Sequence, residues 1–176
     1  MFTKNWYILQ SLHMLADSKQ QLTDIKPLNW DGQSKTKYYP YRTDVSIRAA
    51  INSIKTDSVR NTQGVLFGTG DTPASLDDYK LAGDVIQNIA ASISKTYSYS
   101  EAQPSLKAVY TITNNNAAAI TIKEVALHVQ YTYNSNGSVS GCVIDRTVLD
   151  TPVTIPAGGV GQVEYTIAFN IPTATT

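Results

Sequence analysis

The clearest pattern along the chain lies between residues 120 and 133, ITIKEVALHVQYTY. There Val125, Leu127, Val129, Tyr131 and Tyr133 alternate with Ala126, His128, Gln130 and Thr132. A period of two puts successive side chains on opposite faces of a pleated strand, so the pattern predicts a half-buried antiparallel strand. The alternation recurs in Val163, Tyr165, Ile167 and Phe169, and Tyr97 and Tyr99 alternate with polar neighbours. Residues 106–113 (LKAVYTIT) predict another strand, ended by a turn at Asn114-Asn115-Asn116, and residues 134–137 close a hairpin. Residues 143–149 and 153–155 read as two strands, because Pro152 and Pro156 set breaks. Pro156-Ala157-Gly158-Gly159 turns the chain into the last strand. Gly64-Val65-Leu66-Phe67-Gly68, an apolar run bounded by glycines, predicts a buried strand. A loop follows over residues 69–73, after which Leu76, Tyr79 and Leu81 touch down; Val85, Ile86, Ile89 and Ile93 suggest a further strand pair.

The first part of the chain has a different period. Over residues 4–22, Ile8, Leu12 and Leu15 fall on one face with Trp6, Leu9 and Ala16 beside them, which predicts a helix with Thr3 as its cap. Residues 44–59 fit strand and helix equally well. Many short strands separated by turn signals argue for a mainly β fold, an antiparallel immunoglobulin-like β-sandwich with an N-terminal helical arm. The expected division is residues 1–43 as helix and extended arm and residues 44–176 as the sandwich domain.

Composition narrows the range of functions. The chain has 176 residues, 14 Lys plus Arg, 14 Asp plus Glu, and a charged fraction of 16%, below the roughly 25% of an ordinary soluble domain. No apolar run approaches the ~18 residues of a membrane span. No basic excess points to a phosphate backbone. Membrane and nucleic acid are therefore not expected as partners. Zero net charge repels copies of the chain only weakly, which favours self-association. The start of the chain lacks the signature of a secretory signal, so synthesis in the cytoplasm without export by the general route is expected.

The chemistry-bearing residues are few. Cys142, the single cysteine, has no partner for an intrachain disulfide or a thiolate metal site and reads as a half-buried strand residue. His13 and His128 read as surface residues. Asp71, Asp77, Asp78 and Asp84 cluster around a glycine-rich loop. They invite an acid/base or calcium reading, but Asp capping turns in a solvated loop explains them better. Glu124, Asp145 and Glu164 look like outward or strand-end charges. Gly64, Gly68 and Gly70 lack the Lys-Ser/Thr of a phosphate loop. No catalytic residue, metal or cofactor is expected. Tyr far outnumbers Phe, 11 to 3, and tyrosine suits interfaces by joining apolar area to a polar tip. Tyr38, Tyr39 and Tyr41, clustered around Pro40, and Trp6, Leu9 and Leu12 of the helix form the candidate assembly interface.

Three stretches resemble a family of small virion structural proteins of tailed bacteriophages of gut bacteria: MFTKNWY at the start, GVLFGTGDTPASLDDYKLAGDVI in the middle, and RTVLDTPVTIPAGGVGQVEYTI near the end. TITNNNAAAITIKEVAL between them resembles the strand-turn-strand of immunoglobulin-like modules in phage proteins. The resemblance implies a non-enzymatic, copy-built part of a tail, neck, fibre or head decoration. It implies localisation in the virion after synthesis in the host cytoplasm. Its partners would be copies of itself and other virion proteins. The alternative is an adhesion module on the same particle that binds a receptor or a host surface glycan through tyrosines such as Tyr39 and Tyr41.

Overall fold

The structure is a computed structural model and describes residues 1–7, 50–56, 63–98, 103–132 and 139–168. Within these residues the chain is mainly β. Seven strands follow in order: β1 (Ile54–Lys55), β2 (Gly64–Gly68), β3 (Ile89–Ser98), β4 (Ser105–Asn114), β5 (Ile120–Thr132), β6 (Val139–Ile155) and β7 (Val160–Ala168). Among the described residues, helical geometry is confined to residues 4–7 and 50–51. The predicted helix over residues 4–22 thus begins where expected, just after Thr3, while residues 8–22 lie outside the described set. The ambiguous segment, residues 44–59, contributes the short strand β1.

Two sheets form, with strand orders β1-β2-β5-β6 and β3-β4-β7. They belong to two compact units. One comprises Met1–Gln87 with Thr121–Pro152, the other Asn88–Ile120 with Val153–Thr176.

In the first unit β2 pairs antiparallel with β5, Leu66 facing Ala126 and Gly68 facing Glu124. It also pairs parallel with β1, which an all-antiparallel expectation did not contain. All five residues of β2 are buried, as its uninterrupted apolar run predicted. β5 departs from expectation: residues 124–129 are buried on both faces. The period of two is present, but the face carrying Ala126 and His128 is covered. His128, expected at the surface, is fully buried. Leu66, Leu81, Ala126 and Val143 pack together there, with Val85 against them. Cys142 on β6 is completely rather than half buried, and burial raises its thiol pKa well above the ordinary value.

In the second unit β4 is the central strand. Its register places Ile112 between Ala91 and Gly161, Tyr110 between Ile93 and Val163, and Ala108 between Lys95 and Tyr165. Ala108, Tyr110, Ile112, Val163, Tyr165 and Ile167 are buried and share one face. The opposite face carries Ser92, Ser94, Thr96, Thr111 and Thr113, with an ion pair between Lys107 and Glu164 at 2.6 Å. This is the apolar-in, polar-out division that alternation predicted. The turn into β7 also follows expectation, with Gly158 at φ 66° and the Gly159 amide bonded to Pro156 O at 2.9 Å. Asn114 organises it. Its buried Nδ2 donates to the carbonyls of Ala118, Ile155 and Pro156 at 2.9, 3.1 and 2.9 Å.

The expected break at Pro152 is absent. β6 runs unbroken through it for 17 residues. It is the outer strand of its sheet, where a missing amide donor costs no ladder bond.

Candidate functional site

The polar residues that the fold concentrates lie around Arg146 on β6. Residues 69–84 form a loop over the Ala126 face of the first sheet, here termed the strap. Its ends are tied together, with Thr69 N bonded to Asp84 O at 3.2 Å and Asp84 N bonded to Thr69 Oγ1 at 3.1 Å. That closed neck makes it an Ω-type loop. Leu81 anchors its far limb in the apolar cluster with Leu66, Ala126 and Val143.

Glu124 on β5 sits under the neck with no exposed surface. Its Oε1 accepts from the amides of Gly70 and Gly83 at 2.9 and 2.8 Å. Its Oε2 accepts from the Ala82 amide at 3.0 Å and from Arg146 Nε at 2.7 Å. A Cβ at Gly70 would stand 2.5 Å from Glu124 Oε1 and would collide with the backbone of Gly83; one at Gly83 would collide with Gly70. These two glycines are required because the loop's limbs and the carboxylate approach too closely for a side chain.

Arg146 is 1% exposed along its side chain. Beyond Glu124, it donates from Nη1 to Asp78 Oδ2 at 2.8 Å and to Pro73 O at 3.4 Å, and from Nη2 to Thr72 O at 2.7 Å. Asp78 Oδ2 also accepts from Ser75 N at 2.7 Å. Burial works against the guanidinium charge, but hydrogen bonds and charge from Asp78 and Glu124 outweigh it and raise the pKa above its ordinary value. A second strut, Lys123 Nζ to Asp71 Oδ2 at 2.9 Å, ties the near limb to β5 and lowers the Asp71 carboxyl pKa below its ordinary value.

The N-terminal segment meets the same strand from another side. Phe2 bridges Asp145 in antiparallel fashion. Thr3 N bonds Ile144 O at 2.9 Å and Arg146 N bonds Met1 O at 3.1 Å. Thr3 Oγ1 and Asn5 Nδ2 both donate to Val143 O, at 2.9 and 3.1 Å. The Thr3 hydroxyl is thus directed to β6 rather than acting as a helix cap. The amine of Met1 pairs with Asp145 Oδ2 at 3.0 Å. Lys4 N bonds Leu76 O, at the tip of the strap, at 2.6 Å.

Several sequence expectations are corrected here. Glu124 and Asp145 are buried ionic partners, not outward charges; Glu164 is exposed as expected. Of the aspartate cluster, Asp78 turns inward to Arg146, while Asp71, Asp77 and Asp84 are exposed. Among the described residues no group of three or more His, Cys, Asp or Glu is arranged to hold a metal ion. Trp6 is buried and stacks on Phe2, with ring centroids 4.8 Å apart. Leu9, Leu12, Tyr38, Tyr39 and Tyr41, the other candidate interface residues, lie outside the described residues. The sequence offered no local signal for this site, because Gly70 and Gly83 meet Glu124 only in the fold, 54 and 41 positions away along the chain.

The arrangement is chemically closed. Glu124 accepts four hydrogen bonds, and every nitrogen of the Arg146 side chain donates. What it accomplishes is to hold a loop and a terminal segment against one strand. No protein-family model, no curated protein and no solved structure matches the chain.

Proposed function

We propose that the chain is a non-enzymatic structural component of a tailed-bacteriophage particle, with an immunoglobulin-like β body, and that it works by assembling with copies of itself or with other virion proteins. The observation that carries this reading is where the resembling stretches lie. MFTKNWY, the segment from Gly64 to Ile86 and the run beginning at Arg146 are far apart in sequence, yet residues of all three bond to one another around Arg146. The glycines, Asp78 and Arg146 within those stretches are engaged in holding the strap, which supports an architectural reading of them. Low charge density and zero net charge agree with a subunit that packs against its own kind.

The test is mass spectrometry of particles of the phage whose genome encodes this sequence, banded in a density gradient. Peptides of the chain should co-sediment with the major head and tail proteins at a fixed ratio through repeated banding. Their recovery in the soluble fraction alone would overturn the proposal.

A further inference from the structure

We propose that the strap and the N-terminal segment form one two-position element, joined through β6, so that undocking either loosens the other. This rests on contacts within the chain and does not depend on the virion reading.

Two residues of β6 each hold both parts. Arg146 binds the N-terminal segment through its backbone: its amide bonds Met1 O at 3.1 Å and its carbonyl accepts from the Met1 amine at 2.8 Å. Its side chain binds the strap at Thr72, Pro73 and Asp78. Val143 repeats the division. Its carbonyl accepts from Thr3 and Asn5, and its side chain belongs to the apolar cluster that anchors Leu81 of the strap. The bond from Lys4 N to Leu76 O joins the two directly. A shift of β6 large enough to release one part therefore withdraws the groups that hold the other.

The two parts also resist intermediate positions. Glu124 fills a cradle of three amides and a guanidinium, and lifting the neck would strand several donors at once instead of lengthening one bond. By contrast the tip is open to solvent, with Leu76 54% exposed and Asp77 exposed. Whatever touches the tip or the N-terminal segment from outside acts on the other, and linkage makes the effect equal in both directions.

Amide hydrogen exchange on the full chain tests this. Lys4→Pro removes the Lys4 donor at the first helical position, where proline is tolerated. Asp78→Ala removes a partner of Arg146 and Ser75. The first variant should accelerate exchange at Gly70, Ala82 and Gly83 by about fivefold, the worth of one ordinary hydrogen bond. The second should accelerate exchange at Thr3 and Arg146 by about tenfold or more, the worth of a charge-assisted bond. Within each variant both segments should speed up by the same factor, while the Val65 amide on β2 stays unchanged. Acceleration confined to the segment that carries the substitution would overturn the proposal. So would equal acceleration at Val65, because the opening element would then be the whole unit.

Discussion

Glu124 and Arg146 show how the setting of a charge decides its effect on stability. Removing two charges from water costs several kcal/mol each, and their attraction repays this only when the remaining hydrogen-bonding capacity is filled. Here three amides and two carbonyls fill it. Glu124→Gln would leave Arg146 with one charged partner and would turn an NH₂ group toward amide donors. It should cost about 3–5 kcal/mol in urea unfolding. The exposed Lys107–Glu164 pair, by comparison, should cost at most about 1 kcal/mol when broken. Asn114 makes a neutral version of the same point. Asn114→Asp would set a carboxylate against three carbonyl oxygens at neutral pH, and should destabilise the chain more than Asn114→Ala. An equal loss for the two variants would mean that the Nδ2 bonds matter less than the side chain's shape.

At the level of elements, strands were legible wherever one face is apolar and the other meets water. β4 and β7 alternate in sequence and alternate in burial, and β2 could be read from its unbroken apolar run. β5 alternates just as strictly but misled, because the strap covers its second face. Alternation reports which residues share a face, not what lies over that face. A covering loop has no period of its own, so Glu124 looked exposed. Pro152 misled for a related reason: a proline forbids a central strand but not an outer one, and a strand's position in its sheet is a tertiary fact. Of the expected assembly residues Trp6, Leu9, Leu12, Tyr38, Tyr39 and Tyr41, Trp6 is buried, so Trp6→Asp would report on folding before assembly. β3 is also an outer strand, and Lys95 is its one charged residue. Lys95 is exposed, and a charged lysine on an edge strand discourages pairing with another chain. Lys95→Thr should therefore raise the apparent mass in light scattering at increasing protein concentration, whereas an unchanged mass would show that the edge is protected by other means.

At the scale of the whole molecule, two buried acids among the described residues bear on the response to alkali. The Cys142 thiol and the Tyr110 phenol both have pKa values raised by burial from ordinary values of 9.0 and 10.0. Below those ordinary values both the folded and unfolded chains hold the proton, and stability does not depend on these groups. Above them the unfolded chain gives up protons that the folded chain retains, so stability falls as pH rises, by about 1.4 kcal/mol per pH unit for each group. The two groups sit in different units. The unit holding Cys142 should weaken from about pH 9 and the unit holding Tyr110 from about pH 10. Cys142→Ala should delay the first loss by about one pH unit in a denaturation series. An unmoved onset would assign the alkaline limit to another group.

The interleaving of the two units also governs how the fold can be reached. Each unit is assembled from two separated stretches, and β6 closes the first before its last three residues enter the second. The bond from Met1 to Arg146 spans 145 positions. Contacts of such separation must pay loop-closure entropy before they return any stabilisation, which slows folding. On the ribosome, residues 1–87 would emerge before Glu124 and Arg146, which hold the strap, and before Ala126 and Val143, which complete the cluster around Leu66. For that interval the nascent chain presents apolar surface that is only partly covered, so its synthesis should depend on chaperones in a way that its finished stability would not reveal.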